Sequence, residues 1–229
     1  MRELVGHFLL EQLYCPGCAA LLNTEMVEEK KDAETGRVEQ TKEGGPNRPE
    51  PKPVRLDANA AAIVVLDLSA RCDDPKEVCS KLMKPVGAFL ERARASGVPI
   101  IYTVSVHLRG TPAGEAAFPL KRRATEPIIY PDSFDKFFGG ELQAFLSERG
   151  VKNLVVVGSL TNVAVLYTSS GAARVYGYNV VLPLDGVNAH TRYEHEYAVH
   201  QLTVLPRDAN KRIQFTTLSS LKFQRNSIS

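Results

Sequence analysis

The sequence predicts a three-layer α/β/α domain built on a mainly parallel sheet and preceded by an extended N-terminal arm. Three observations carry this. Two apolar runs, Ala62 to Leu66 and Leu154 to Val157, are strand-sized and do not alternate with polar residues, as strands buried on both faces require. Segments with helical apolar spacing separate the strand-like runs, the signature of helices covering a parallel sheet. A charged stretch containing glycine and proline sets this periodic region apart from the N-terminus. At roughly 150 residues per domain, 229 residues correspond to one or two domains.

The chain divides into four parts by composition. Residues 1–27 are moderately apolar and contain Cys15-Pro16-Gly17-Cys18. Residues 28–55 form a linker: up to Pro53 half the positions are charged, and Gly44, Gly45, Pro46, Pro49, Pro51 and Pro53 forbid a helix. Residues 56–222 form the α/β domain, and 223–229 a short tail. The arm has too little apolar material to fold alone and is expected to dock on a neighbouring surface or a partner protein.

Within the domain, Ala62 to Leu66 is the first strand, ending at Asp67. Pro75 to Ala95 reads as a helix because Val78, Leu82, Val86, Phe89 and Leu90 recur on one face. Gly97 stops it, and Pro99 to Val104 is the next strand. His107 to Pro127 is irregular and longer than an ordinary connection, as lids and binding loops are. A helix over Glu141 to Arg149 precedes the strand at Leu154. After the turn Gly158 to Thr161 come a helix over Val163 to Val175, a strand at Tyr178 to Leu182, a helix over Tyr193 to Leu205 and a strand at Arg212 to Phe215.

Charge and hydropathy exclude several classes. Twenty-eight basic and 26 acidic side chains leave a formal charge of +2, no footprint for nucleic acid or an anionic membrane. No apolar run reaches the roughly 18 residues of a membrane span. Met1 to Leu13 lacks the arrangement of a secretory signal, so a cytoplasmic location is expected. Four cysteines are too few for a disulfide scaffold. Cys72, in the loop after Asp67, and Cys79, on the next helix, are read as buried free thiols, with a replacement nucleophile as the other reading.

Open parallel sheets bind ligands beyond the carboxyl ends of their strands. Asp67, the turn Gly158 to Ala164, and Asp185 fall at such ends. A carboxylate at the rim of a dry site suits general acid or base work, because desolvation brings its pKa toward working pH; a turn cap is the other reading of Asp67.

The run ending at Asp67, the segment Lys136-Phe137-Phe138-Gly139, and Gly158-Ser159-Leu160-Thr161-Asn162-Val163-Ala164 followed by Gly177-Tyr178 resemble the isochorismatase-like superfamily of cysteine hydrolases over residues 57–222. The resemblance implies a Rossmann-like fold, self-association and a small-molecule ligand. It implies a triad of Asp67, a lysine and a cysteine, and a cis peptide bond between Ser159 and Leu160 that aims backbone N–H groups of Leu160 and Ala164 at an oxyanion. Thr161 and Asn162 belong to the same implied ligand-binding block.

Two departures stand out. The nucleophile's position is Ala164, and a methyl group cannot attack a carbonyl. The lysine of the pattern falls near Pro131, leaving Lys136 either as its substitute or as a solvated side chain. The displaced lysine and Ser69, which stands where an amide side chain is often found, favour a natural branch lacking the nucleophile over an engineered change. Two functions follow: hydrolysis of a small amide-like or vinyl-ether substrate with Asp67 as acid or base, or a catalytically silent ligand-binding or scaffold subunit of a larger assembly.

Cys15 and Cys18 have the spacing of half a tetrahedral zinc site. Their segment resembles the short zinc-binding stretch in small subunits of acetone- and acetophenone-carboxylase-type complexes, which implies zinc there; unligated thiols are the alternative.

Overall fold

The computed structural model describes residues 48–225 with their side chains, and nearer the N-terminus the backbone of three strands. These are β1 (Arg2–Val5), β2 (Phe8–Tyr14) and β3 (Leu21–Glu28). They pair antiparallel in the order β1-β2-β3, so the N-terminal segment is a small sheet and not an arm without structure of its own. The register sets Leu4 opposite Leu9, and Leu9 opposite Val27. Cys15 and Cys18, with the zinc reading that rests on them, lie outside the described residues.

Met1–Gly45 and Pro46–Ser229 are separate compact units. The second begins before the boundary expected at residue 56, because β4 (Val54–Asp57) pairs in parallel with β12 (Leu221–Gln224). Val54, Leu56 and Leu221 are buried in the core. This two-stranded sheet joins the end of the linker to the end of the domain.

The main sheet contains β5 (Ala61–Leu66), β6 (Ile100–Thr103), β7 (Ile128–Ile129), β8 (Asn153–Ser159), β9 (Asn179–Pro183), β10 (Val187–Asn188) and β11 (Ile213–Thr216). Its order is β11-β9-β8-β5-β6-β7, with β10 against β8, and every pairing is parallel. The chain runs from β5 outward to β7 and then returns to β8 on the other side of β5. The strand order therefore reverses between β5 and β8, where a doubly wound sheet opens its ligand crevice.

Side chains of β5 and β8 alternate between the two faces. Ile63, Val65, Val155 and Val157 enter one core with α1 (Met83–Ala95). Ala62, Val64, Leu66, Leu154 and Val156 enter the other, with α2 (Glu141–Glu148), α3 (Leu166–Arg174) and α4 (Arg192–Thr203). Three layers result. Burial on both faces is why these strands read as continuous apolar runs.

The helix expected from Pro75 begins at Met83, with a 3-10 turn over Val78–Leu82 before it. Pro85 lacks an N–H and sits in the first turn of α1, where none is needed; further into a helix it would break the ladder. The long connection after β6 holds only short 3-10 turns, and a buried ion pair ties it down. Arg94 of α1 donates from Nε and Nη2 to the two oxygens of Glu126 at 2.7 and 2.8 Å, and from Nη2 to Tyr102 Oη at 3.1 Å. The Glu126 hydrogen bond raises the Arg94 guanidinium further above its ordinary pKa, and burial raises the Tyr102 phenol. Replacing Glu126 with Ala removes two of the buried hydrogen bonds of Arg94 and leaves it only the half-exposed Glu91, 2.7 Å from Nη1, as counter-charge, and we expect a loss of about 3 kcal/mol in urea unfolding.

Candidate active site

Asp67 lies just beyond β5 with φ 54°, a left-handed conformation that aspartate tolerates better than most residues. Its N–H donates to the Thr103 carbonyl at 2.9 Å. Across the crevice, Gly158 (φ 141°) passes so close to Leu66 that a Cβ there would strike the Leu66 carbonyl oxygen. Only glycine lets β8 run beside β5 at this level. The peptide bond between Ser159 and Leu160 is cis, as the resemblance implies.

Lys136 is buried, and its Nζ lies 3.0 Å from Asp67 Oδ2. It is not a solvated side chain. Its backbone N–H donates to Thr168 Oγ1 of α3 at 3.1 Å, and the same hydroxyl donates to the Phe134 carbonyl at 3.3 Å. Asp135 Oδ1 accepts from the Phe137 N–H at 3.0 Å. This turn, pinned on a fully buried threonine, carries the ammonium to Asp67 from a backbone position five residues after Pro131. Asp67 Oδ1 is buried and has no hydrogen-bond partner among the described residues. Burial pushes the Asp67 carboxyl above its usual pKa, outweighing the opposing effect of Lys136.

A cavity of about 460 Å³ opens beside the pair, lined among others by Asp67, Lys136, Leu160 and Ala164. Four of the residues singled out in the sequence thus converge. Thr161 and Asn162 are not among the residues that line this cavity. Thr161 is fully buried, with its hydroxyl 3.0 Å from His195 Nδ1 of α4. Burial holds the His195 imidazole below its ordinary pKa. Thr161 therefore ties the turn to α4. Asp185 lies outside the cavity lining too: its Oδ1 accepts from the Leu218 N–H at 2.7 Å.

Cys72 and Cys79 are joined in a disulfide, with Cα atoms 5.3 Å apart. This corrects the expectation of two free buried thiols: the turns over Ala70–Asp73 and Val78–Leu82 bring together residues seven apart. Sequence reasoning missed Ser105, His107, Asp132 and Phe134, which also line the cavity. They follow β6 and β7, so the rule that picked out Asp67 applies to them as well. Among the described residues no group of three or more His, Cys, Asp or Glu side chains could hold a metal ion. No described helix is long and apolar enough to cross a membrane.

Comparison with known proteins agrees with this fold. The family description "Isochorismatase domain" matches residues 61–210, and the chain belongs to that family. It is 28% identical over 142 residues to a streptothricin hydrolase of Streptomyces noursei, a match covering 58% of this chain and 55% of that protein. The chain thus spans little more than half the length of this curated relative. Its fold is similar to that of a cysteine hydrolase from Pseudomonas syringae, with TM-score 0.61, 18% identity, and 72% of this chain and 91% of that one covered. It is also similar to N-carbamoylsarcosine amidase from Thermoplasma acidophilum, with TM-score 0.58, 18% identity, and coverage of 69% and 96%.

The raised Asp67 pKa fixes the sign of a pH effect. Below the ordinary carboxyl value, near 3.8, the group is protonated in folded and unfolded chains alike. As pH rises from there through the raised folded value, the unfolded chain releases the proton first, so the folded state loses stability. The stability of wild type relative to Asp67→Asn should fall across that window in denaturant unfolding. A rise would contradict the assignment.

Proposed function

We propose that this chain hydrolyses a small amide-like substrate by general acid–base catalysis with water, without a covalent enzyme intermediate. The observation that carries this reading is the buried Asp67–Lys136 pair, with one carboxylate oxygen unpartnered beside a cavity of substrate size. Ala164 stands where the family resemblance puts a cysteine nucleophile, so the attacking group must come from solvent. Asp67 takes a proton from water as the hydroxyl adds to the carbonyl carbon. The N–H groups of Leu160 and Ala164 receive the developing oxyanion. The proton then passes from Asp67 to the departing nitrogen as the C–N bond breaks, and Lys136 balances the carboxylate throughout. The raised pKa of Asp67 suits both halves of this cycle.

An amide-like substrate is favoured by the amidase among the structural relatives. A vinyl ether is the other substrate that the site accommodates: the acid form of Asp67 would protonate the vinyl carbon, and water would add to the resulting cation. The methyl group of Ala164 favours a second reading, a catalytically silent ligand-binding or scaffold subunit.

A panel of small amides, assayed for released ammonia or amine, tests the proposal. Wild type is expected to turn over at least one member with no covalent adduct in intact-protein mass spectra. Asp67→Asn should lower the rate by about 100-fold or more, and Ala164→Cys should introduce an acyl adduct. Binding without turnover in wild type, with Ala164→Cys equally inert, would favour the silent subunit.

A further inference from the structure

Asp67 borders a second cavity, of about 270 Å³, on its other side. Asp67, Ser105, Ser159 and Leu160 line both spaces, so the two are lobes of one crevice with the candidate catalytic carboxylate at their junction. The junction is polar. Asp67 Oδ1 is buried without a hydrogen-bond partner among the described residues, and Ser105 and Ser159 stand beside it. An unpartnered buried carboxylate oxygen asks for a ligand that can donate a hydrogen bond at that point.

Like the first, the second lobe is lined mostly by apolar surface. Its walls include Val78, Val104, Leu108 and the Cys72–Cys79 disulfide, with Ser69 and His190 among the polar residues that border it. Arg71 and Glu77 at its margin satisfy each other at 2.8 Å, so neither charge calls for a counter-ion from a ligand. The walls are held in place. The disulfide joins the two 3-10 turns, Asn188 Nδ2 donates to the Val78 carbonyl at 2.7 Å, and Ser69 bridges to Ala116.

We infer that the second lobe is a subsite for an uncharged, mainly apolar substituent, and that the substrate is therefore a substituted amide with its polar group between two flanking parts. A primary carboxamide would leave this lobe unfilled. In the hydrolytic step the C–N bond at the junction breaks, water supplies the hydroxyl and the proton, and an acid and an amine leave with one part in each lobe. This inference rests on the hydrolytic reading for its chemistry and on the two lobes for its geometry.

The test compares benzamide with N-benzylbenzamide on the full chain, by ligand-observed NMR titration and by amine release. Wild type should bind N-benzylbenzamide about tenfold or more tightly than benzamide, as expected for burying a further ring. Val78→Phe and Leu108→Phe, each of which enlarges a side chain that lines the lobe, should each bring the two affinities to within about twofold of one another. Thermal melts identify a variant that has failed to fold, and the other then decides. Equal affinity in wild type, no measurable binding of either probe, or a preference retained by the folded variants would overturn the subsite. Preferential binding that both variants abolish, with no amine released, would uphold the subsite and overturn the hydrolytic reading.

Discussion

The ion pair between Asp67 and Lys136 is the constraint around which the crevice is organised. An ionised carboxylate at the end of a fully buried strand is costly to desolvate, and a lysine buried beside it is costly too. Each is tolerable because the other lies 3.0 Å away. Removing either partner leaves an uncompensated charge at the opening of the sheet. The surrounding elements converge on this pair: β5 delivers Asp67, Thr168 of α3 holds the turn that delivers Lys136, and β8 brings Leu160 and Ala164 alongside.

Lys136 reaches Asp67 although it stands later in the sequence than the resemblance implies. The family resemblance puts the lysine near Pro131, whereas this chain supplies the ammonium from a turn five residues later. A long flexible stem permits that, provided the backbone is fixed, and the buried Thr168 fixes it. The disulfide removes Cys72 and Cys79 as thiols, and the function proposed above takes water as the attacking group.

Much of the fold was legible in the sequence, for a physical reason. Strands of a parallel sheet covered on both faces have no polar side, so Ala62 to Leu66 and Leu154 to Val157 announce themselves. The edges were less legible. β4 and β12 are four residues each and mix buried with exposed positions, a pattern that a linker and a tail share. The N-terminal sheet was missed because charged residues interrupt its apolar ones. At the site, Asp67 could be picked out because a strand end leaves a local mark, and Ala164 through its place in the motif that carries the family resemblance. The Lys136 contact, the Cys72–Cys79 bond and the second lobe depend on tertiary closure of long connections. No local pattern encodes them.

The central claim is that Lys136, from its shifted position, is the electrostatic partner of a carboxyl whose pKa burial has raised. Carbon-13 NMR of labelled aspartate carboxyls, with Asp67 assigned by comparison with Asp67→Asn, measures this directly. The account predicts a titration midpoint for Asp67 above the ordinary carboxyl value, moving further upward in Lys136→Met as the opposing positive charge is lost. A wild-type midpoint at or below the ordinary value, or one that Lys136→Met leaves unchanged, would contradict it.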